Sequence, residues 1–313
     1  MTAARSVRDT HPLLAVLLAQ LIYAAGVVAG IALAALLTRP FAEAAPSGPL
    51  IAVVTLLQTV AGHAPIFLLL WAWLRFYERR PFASLGLPWG RTAWRWHAAG
   101  FGLGAAFIAG WLALQYAMGN LRIEDTFAGS AAGVSALYLL PMFYLSRIGM
   151  IAIEEILYRG WLLRTGTARW GTTAGVAVSS AAFALFHFVG PLMLITPLHR
   201  FHWVLALNLV LWSVLAALLT LTSGNLWAAM AFHATPLWLT SQVFVVNDGR
   251  PQVLAMVLLS QPKASPLMGE AALAGPFTGL PTTLLLLALL CAGALAVHLR
   301  RRLPVPAGPA GGR

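Results

Sequence analysis

The sequence predicts an all-α, polytopic transmembrane helix bundle of about eight spanning helices with both termini cytoplasmic. Three observations predict it. The 313 residues are 60% hydrophobic and only 9% charged, the balance of a membrane protein rather than a soluble domain. Apolar runs long enough to span recur along the whole chain, and the arginines fall in clusters between alternate runs.

A span needs about 20 mainly apolar residues. Candidates lie at 13–37, 50–74, 97–118, 133–163, 172–190, 201–222, 225–246 and 280–299. The first follows Arg5 and Arg8 and precedes the small-residue stretch "FAEAAP", which resembles a signal peptide. The run is too long for a signal h-region, so a retained first helix is expected.

Arginines test the count independently. Arg5 and Arg8 precede the first run; Arg75, Arg79, Arg80, Arg91 and Arg95 follow the second; Arg159, Arg164 and Arg169 lie at the end of the fourth; Arg300, Arg301 and Arg302 follow the eighth. All fall on one face if both termini are cytoplasmic, and the segments around Glu43, Glu124 and Asp125, Arg200 and 247–279 fall on the other. That asymmetry follows the positive-inside rule.

The formal charge of +11 comes almost wholly from arginines at the ends of apolar runs. They read as topology signals against anionic lipid, and no nucleic-acid partner is expected. Between the second and third runs, "RRPFASLGLPWGRTAWRW" mixes Trp89, Trp94 and Trp96 with arginines and turn residues, the pattern of an interfacial segment at the headgroups. A single cysteine, Cys291, removes disulfides, Cys-based zinc sites and a Cys/His protease pair from consideration.

Three parts follow. Residues 1–130 hold the N-terminal helices and the Trp/Arg loop, 131–246 a candidate catalytic core, and 247–313 an extracytoplasmic loop, the last helix and a basic tail.

Charges inside spans are costly and usually functional. The fourth run holds Arg147, Glu154, Glu155 and Arg159, the fifth His187 and the seventh His233. Glu155 and Arg159 are four apart and able to pair on one helical face, whereas Glu154 points about 100° away. One glutamate is then held by arginine while the other is free for chemistry.

Two histidines on other helices complete a Glu/His/His set. Such a set either holds a divalent metal such as zinc or uses the glutamate as a general base on water. His63, beside Pro65, reads as a satisfied hydrogen-bonding histidine, Arg147 as a partner of a carboxylate or a headgroup anchor, and Asn208 as an interhelical hydrogen bonder. Pro236 is expected to kink the seventh helix.

Other protease classes fit poorly. No His-Glu-x-x-His is present, "LTSG" at 221–224 lacks the first glycine of Gly-x-Ser-Gly, and Asp9, Asp125 and Asp248 all lie outside the predicted helices.

"EEILYR" from Glu154, "FALFH" from Phe183 to His187, and His233 in "NLWAAMAFHATPL" occur in that order on successive helices. In this the segment from Gly133 to Val246 resembles the CAAX protease and bacteriocin-processing (CPBP, or Abi) family of intramembrane endopeptidases, of the type II CAAX prenyl protease kind. The resemblance implies that Glu154 activates water, that His187 works with it, and that His233 stabilises the oxyanion or completes the site. Glu155 and Arg159 would support them, and Phe183 would pack beside His187.

One departure is Leu237, which stands where eukaryotic prenyl proteases of the family carry Asn. If a metal is used, Glu154, His187 and His233 would be its ligands from three helices; the family is also compatible with a metal-independent glutamate mechanism.

The implied partners are the lipid bilayer and a membrane-associated peptide or protein substrate; nothing in the sequence sets an oligomeric state. The arginine-, alanine- and leucine-rich composition points to the inner membrane of a GC-rich bacterium, where a prenylated cysteine is not expected. Two other function classes use the same polar cluster: a non-catalytic scaffold or immunity factor, and a proton-coupled transporter, for which no repeat or paired broken helices speak.

Overall fold

The computed structural model describes residues 8–42, 47–126, 137–189, 202–247, 255–269 and 278–302. Arg5, Glu43, Arg200 and Asp248, and the first residues of the fourth run, 133–136, lie outside the described residues.

Each apolar run forms a helix close to its expected place. α1 spans Pro12–Thr38, α2 Gly48–Ala72, α3 Arg91–Ala117, α4 Leu139–Glu155, α5 Leu163–Trp170, α6 Thr172–Val189, α7 Trp203–Ser223, α8 Trp227–Trp238 and α9 Leu280–Arg302. Starts are written into the sequence. His11 caps α1 by accepting from Leu13 N, with Pro12 in the first turn; Ser47 caps α2 by accepting from Leu50 N. Gly224, with φ of 70°, ends α7 in the left-handed conformation that suits glycine.

Four helical segments are long and apolar enough to cross a membrane: Pro12–Phe41, Gly48–Glu78, Arg91–Ala117 and Trp203–Ser223. Thr172–Phe188 and Leu280–Leu295 are shorter apolar helices. Leu17, Leu21, Val28 and Leu36 along α1 are exposed, as leucines facing lipid are. Trp89 and Trp94, exposed beside the arginines that follow α2, suit a headgroup-level segment.

Helices pair closely through small residues. α1 packs along α2, α3 along α8, α4 against both α2 and α8, and α7 joins α6 to α9. A Cβ on Gly30 would stand 2.0 Å from Gly62 O, and one on Gly100 2.2 Å from Ala228 O. Only a bare Cα allows these backbones to approach so nearly, a device suited to lipid, where helices associate by packing and not by burial from water.

Two features depart from the all-helical expectation. A three-stranded sheet of order β1-β3-β2 forms from Arg122–Thr126 (β1), Phe244–Val246 (β2) and Val257–Ser260 (β3). β1 runs antiparallel to β3, and β2 parallel to it. The seventh predicted run is therefore not helical to residue 246: α8 continues through Pro236 to Trp238, widens into a π-helical turn at Leu239–Val243, and becomes β2. Proline removes a backbone donor there, and the Val243, Val245 and Val246 side chains favour extended backbone. Val246 and Leu259 then pack with Trp111 and Leu121, so the sheet covers one end of α3.

The second departure lies in the helix that carries the charges. α4 passes into α5 through a π-helical segment, Ile156–Leu162, and similar π-helical residues, Trp73–Glu78, extend α2. Such local widening is frequent at functional sites.

Substituting Gly30→Val should destabilise the protein by about 2 kcal/mol, the usual range for overpacking. Gly102→Ala, where an added Cβ meets nothing within 4 Å, should be near neutral. Thermal unfolding of the two purified variants beside the native chain checks this.

Candidate active site

The site grows from the junction of α4 with its π-helical extension. Glu154 and Glu155 are the last two residues of α4, and Arg159 lies within the π-helical segment. Neighbouring residues diverge around a helix, so the two carboxylates enter different surroundings.

Glu155 is completely buried and held from two sides. Arg159 Nη1 lies 3.2 Å from its Oε1 in an ion pair whose side chains are both 0% exposed. His233 Nδ1 donates to the same oxygen at 2.8 Å. Arg159 is held in turn over the Phe183 ring, its guanidinium carbon 4.1 Å from the centroid, a cation–π contact strengthened by the absence of water.

Glu154 is placed differently. It keeps 7% exposure, its side chain makes no hydrogen bond among the described residues, and its Oε2 stands 4.0 Å from His233 Nε2. The sequence assigned Arg159 to Glu155 and left Glu154 free, and the geometry agrees. Its charge also reaches Arg147, Tyr23 and Tyr158.

Each histidine's tautomer follows from its partner. A carboxylate only accepts, so the His233 Nδ1 facing Glu155 carries hydrogen; in the neutral ring Nε2, turned toward Glu154, is then an acceptor. His187, on α6, donates from Nδ1 to Phe183 O at 2.9 Å, so its Nε2 is an acceptor too.

Aromatic rings fix these groups. Phe183 and His187, four apart on α6, meet with ring centroids 4.7 Å apart, and Phe183 also lies 6.0 Å from His233. Trp212 on α7 approaches His233 at 5.6 Å and stacks on Phe232. Phe183 thus touches Arg159, His187 and His233 at once and ties the three motifs together.

Carboxylate and acceptor imidazoles are also the donors a divalent ion takes. Among the described residues, however, no three His, Cys, Asp or Glu side chains gather into a group able to hold a metal ion.

His63 and Asn208 are hydrogen-bonded as read, whereas Arg147 is not paired with a carboxylate among the described residues. His63 donates from Nδ1 to Thr59 O at 2.5 Å. Asn208 donates to Gly279 O at 3.1 Å and accepts from Thr283 Oγ1 at 2.6 Å, an interhelical bond to α9. Arg147 donates to Ser241 Oγ at 3.2 Å and forms no ion pair within 4 Å among the described residues.

Sequence reading missed Gln20 and Trp212. Gln20 Nε2 donates to Tyr158 Oη and to Ala182 O, each at 3.2 Å, tying α1 to the site. A lone glutamine in an otherwise apolar span was the available signal.

Comparison with known families gives one match, covering residues 136–236: Rce1-like, described as type II CAAX prenyl endopeptidase Rce1-like. This segment is similar to that family. The match holds all six residues singled out above: Glu154, Glu155, Arg159, Phe183, His187 and His233. No curated protein and no solved structure matches the chain. The match spans about a third of the chain and is to a protease family, and four helical segments of the chain are long and apolar enough to cross a membrane.

Breaking the buried pair leaves a charge without its partner, which costs about 3–5 kcal/mol. Arg159→Met should therefore unfold the Rce1-like core or sharply lower its thermal midpoint. Glu154→Gln, which removes no hydrogen bond among the described residues, should leave the midpoint within a degree or two of native; differential scanning of the purified variants measures both.

Proposed function

We propose that this protein is an intramembrane endopeptidase that hydrolyses a peptide bond of a membrane-associated substrate with water activated by Glu154. The observation that carries this is the division of labour between adjacent carboxylates: Glu155 is engaged through Oε1 by Arg159 and His233, while Glu154 faces His233 Nε2 at 4.0 Å.

That separation suits one water. Two hydrogen bonds of about 2.8 Å donated by a single water span about 4 Å between their acceptors. A water donating to Glu154 Oε2 and His233 Nε2 is held by both hydrogens, with its lone pairs turned outward toward a substrate carbonyl. As its oxygen bonds to the carbonyl carbon, Glu154 takes one proton; it then delivers that proton to the amide nitrogen as the carbon–nitrogen bond breaks. Glu154 ends as a carboxylate, the state in which it began.

The remaining groups serve this step. Glu155 fixes the His233 tautomer, Arg159 neutralises Glu155, and Phe183 holds Arg159 and His187 in register. His187 is held beside Phe183 through its ring and its Nδ1. Burial raises the strength of each of these interactions, since little water competes for them.

The proposal extends to topology. The arginine clusters support eight spans with both termini cytoplasmic, and the composition supports a bacterial inner membrane. Glu154 lies ten residues before Arg164, roughly 15 Å from the arginine-rich face, so the cut bond is expected in that half of the bilayer.

Comparing protein termini by mass spectrometry, in membranes of cells carrying the native chain or Glu154→Ala at equal expression, tests the reading. A terminus dependent on the native chain is expected, and its yield should fall at least 10²-fold in the variant, the scale of general-base catalysis. Identical termini in both membranes would favour a non-catalytic scaffold.

A further inference from the structure

A polar cavity lies away from the site, between the start of α1, the end of the π-helical extension of α2, and α5. Its volume is about 540 Å³, and its lining includes Arg80, Arg164, Arg169, Thr10, Ser84 and Thr165. We propose that this cavity binds a phosphate group, the chemistry shared by a phospholipid headgroup and soluble phosphate.

The charge in the cavity is unevenly satisfied. Two carboxylates also line it, Glu78 and Asp9. Glu78 is buried and fully engaged: Arg80 Nε donates to it at 2.5 Å, Thr10 Oγ1 at 2.5 Å and Trp161 Nε1 at 2.8 Å. It offsets Arg80 and has nothing left for the other two guanidiniums. Asp9 is exposed.

Arg164 and Arg169 form no ion pair among the described residues, and Arg164 Nε is buried without a hydrogen-bond partner. Burial, and then the like charge of Arg80, push the Arg164 guanidinium below its ordinary pKa. Arg164 is thus crowded by Arg80 with its Nε unspent, and Arg169 stands exposed on the same wall. α1 adds to this, since Pro12 opens it on the cavity wall and its first turn carries no acidic residue.

A phosphate ester matches these donors better than a carboxylate does. Its several acceptor oxygens can take bidentate bonds from more than one guanidinium together with a hydroxyl bond. The arginines sit where the chain's basic clusters meet the ends of apolar helices, the depth at which anionic headgroups lie.

Occupancy would bear on the active site. Arg164 follows Glu154 on one continuous helical rod, α4 through α5, and Trp161 on that rod is bonded to Glu78 in the cavity wall. A bound phosphate would draw α1, α2 and α5 together and steady the rod that carries the glutamates.

The test uses the full chain purified in detergent and titrated with dioctanoyl phosphatidylglycerol, dioctanoylglycerol or inorganic phosphate while the thermal midpoint is followed. Phosphatidylglycerol should raise the midpoint and dioctanoylglycerol should not. Arg164→Gln and Arg169→Gln should each weaken the apparent affinity about tenfold, the scale of one charge-assisted bond, whereas Arg95→Gln, exposed and outside the cavity, should not.

Should Arg164→Gln fail to fold, the exposed Arg169 carries the test. An equal response to inorganic phosphate would support the site and assign it a soluble ligand. A midpoint unmoved by both anions, or moved equally in the native chain and the two cavity variants, would overturn the proposal.

Discussion

A carboxylate with no exposure inside a helix bundle must be neutralised and hydrogen-bonded, because no water is there to do either. Glu155 meets that demand by drawing on two other elements: Arg159 from the π-helical segment and His233 from α8. Much else follows from this one requirement. Arg159, committed to Glu155, is buried on Phe183, which orders α6; His233, committed through Nδ1, turns Nε2 toward Glu154. Glu154 keeps its reactivity because its neighbour has taken the partners.

The bundle around this cluster explains how a costly group is tolerated. Small residues let α1 and α2, and α3 and α8, approach to backbone contact, which leaves the bulky aromatic residues for the centre. Phe107, Phe232 and Trp212 pack on one another there, and Trp212 meets the His233 ring. Rigid rings restrict the imidazole, so the tautomer set by Glu155 is matched by a fixed ring plane. Positioning of this kind limits the reorganisation needed when charge develops during reaction.

Much of this was legible in the sequence, for physical reasons that also mark where legibility stopped. A span has a minimum length and a composition, so α1, α2, α3 and α7 could be read from run length alone. Charges in such runs are rare, so Glu154, Glu155, Arg159, His187 and His233 stood out. The strands did not, because Phe244–Val246 and Val257–Ser260 are short and gain their meaning only by pairing across a gap in sequence. The π-helical turn after Glu155 leaves no compositional trace. Spacing gave the Glu155–Arg159 pair, but the histidine's choice of Glu155 over Glu154 depends on how α8 crosses α4, which no local pattern encodes.

The claim on which the account turns is that Glu155 holds His233 as the neutral Nδ1–H tautomer with Nε2 open toward Glu154. Nitrogen-15 NMR of histidine-labelled protein at neutral pH, with the His233 signal assigned by its loss in His233→Gln, measures this directly. The account predicts a protonated Nδ1 and an unprotonated Nε2 in the native chain, and loss of that preference in Glu155→Gln. A native ring protonated at Nε2, alone or at both nitrogens, would contradict it.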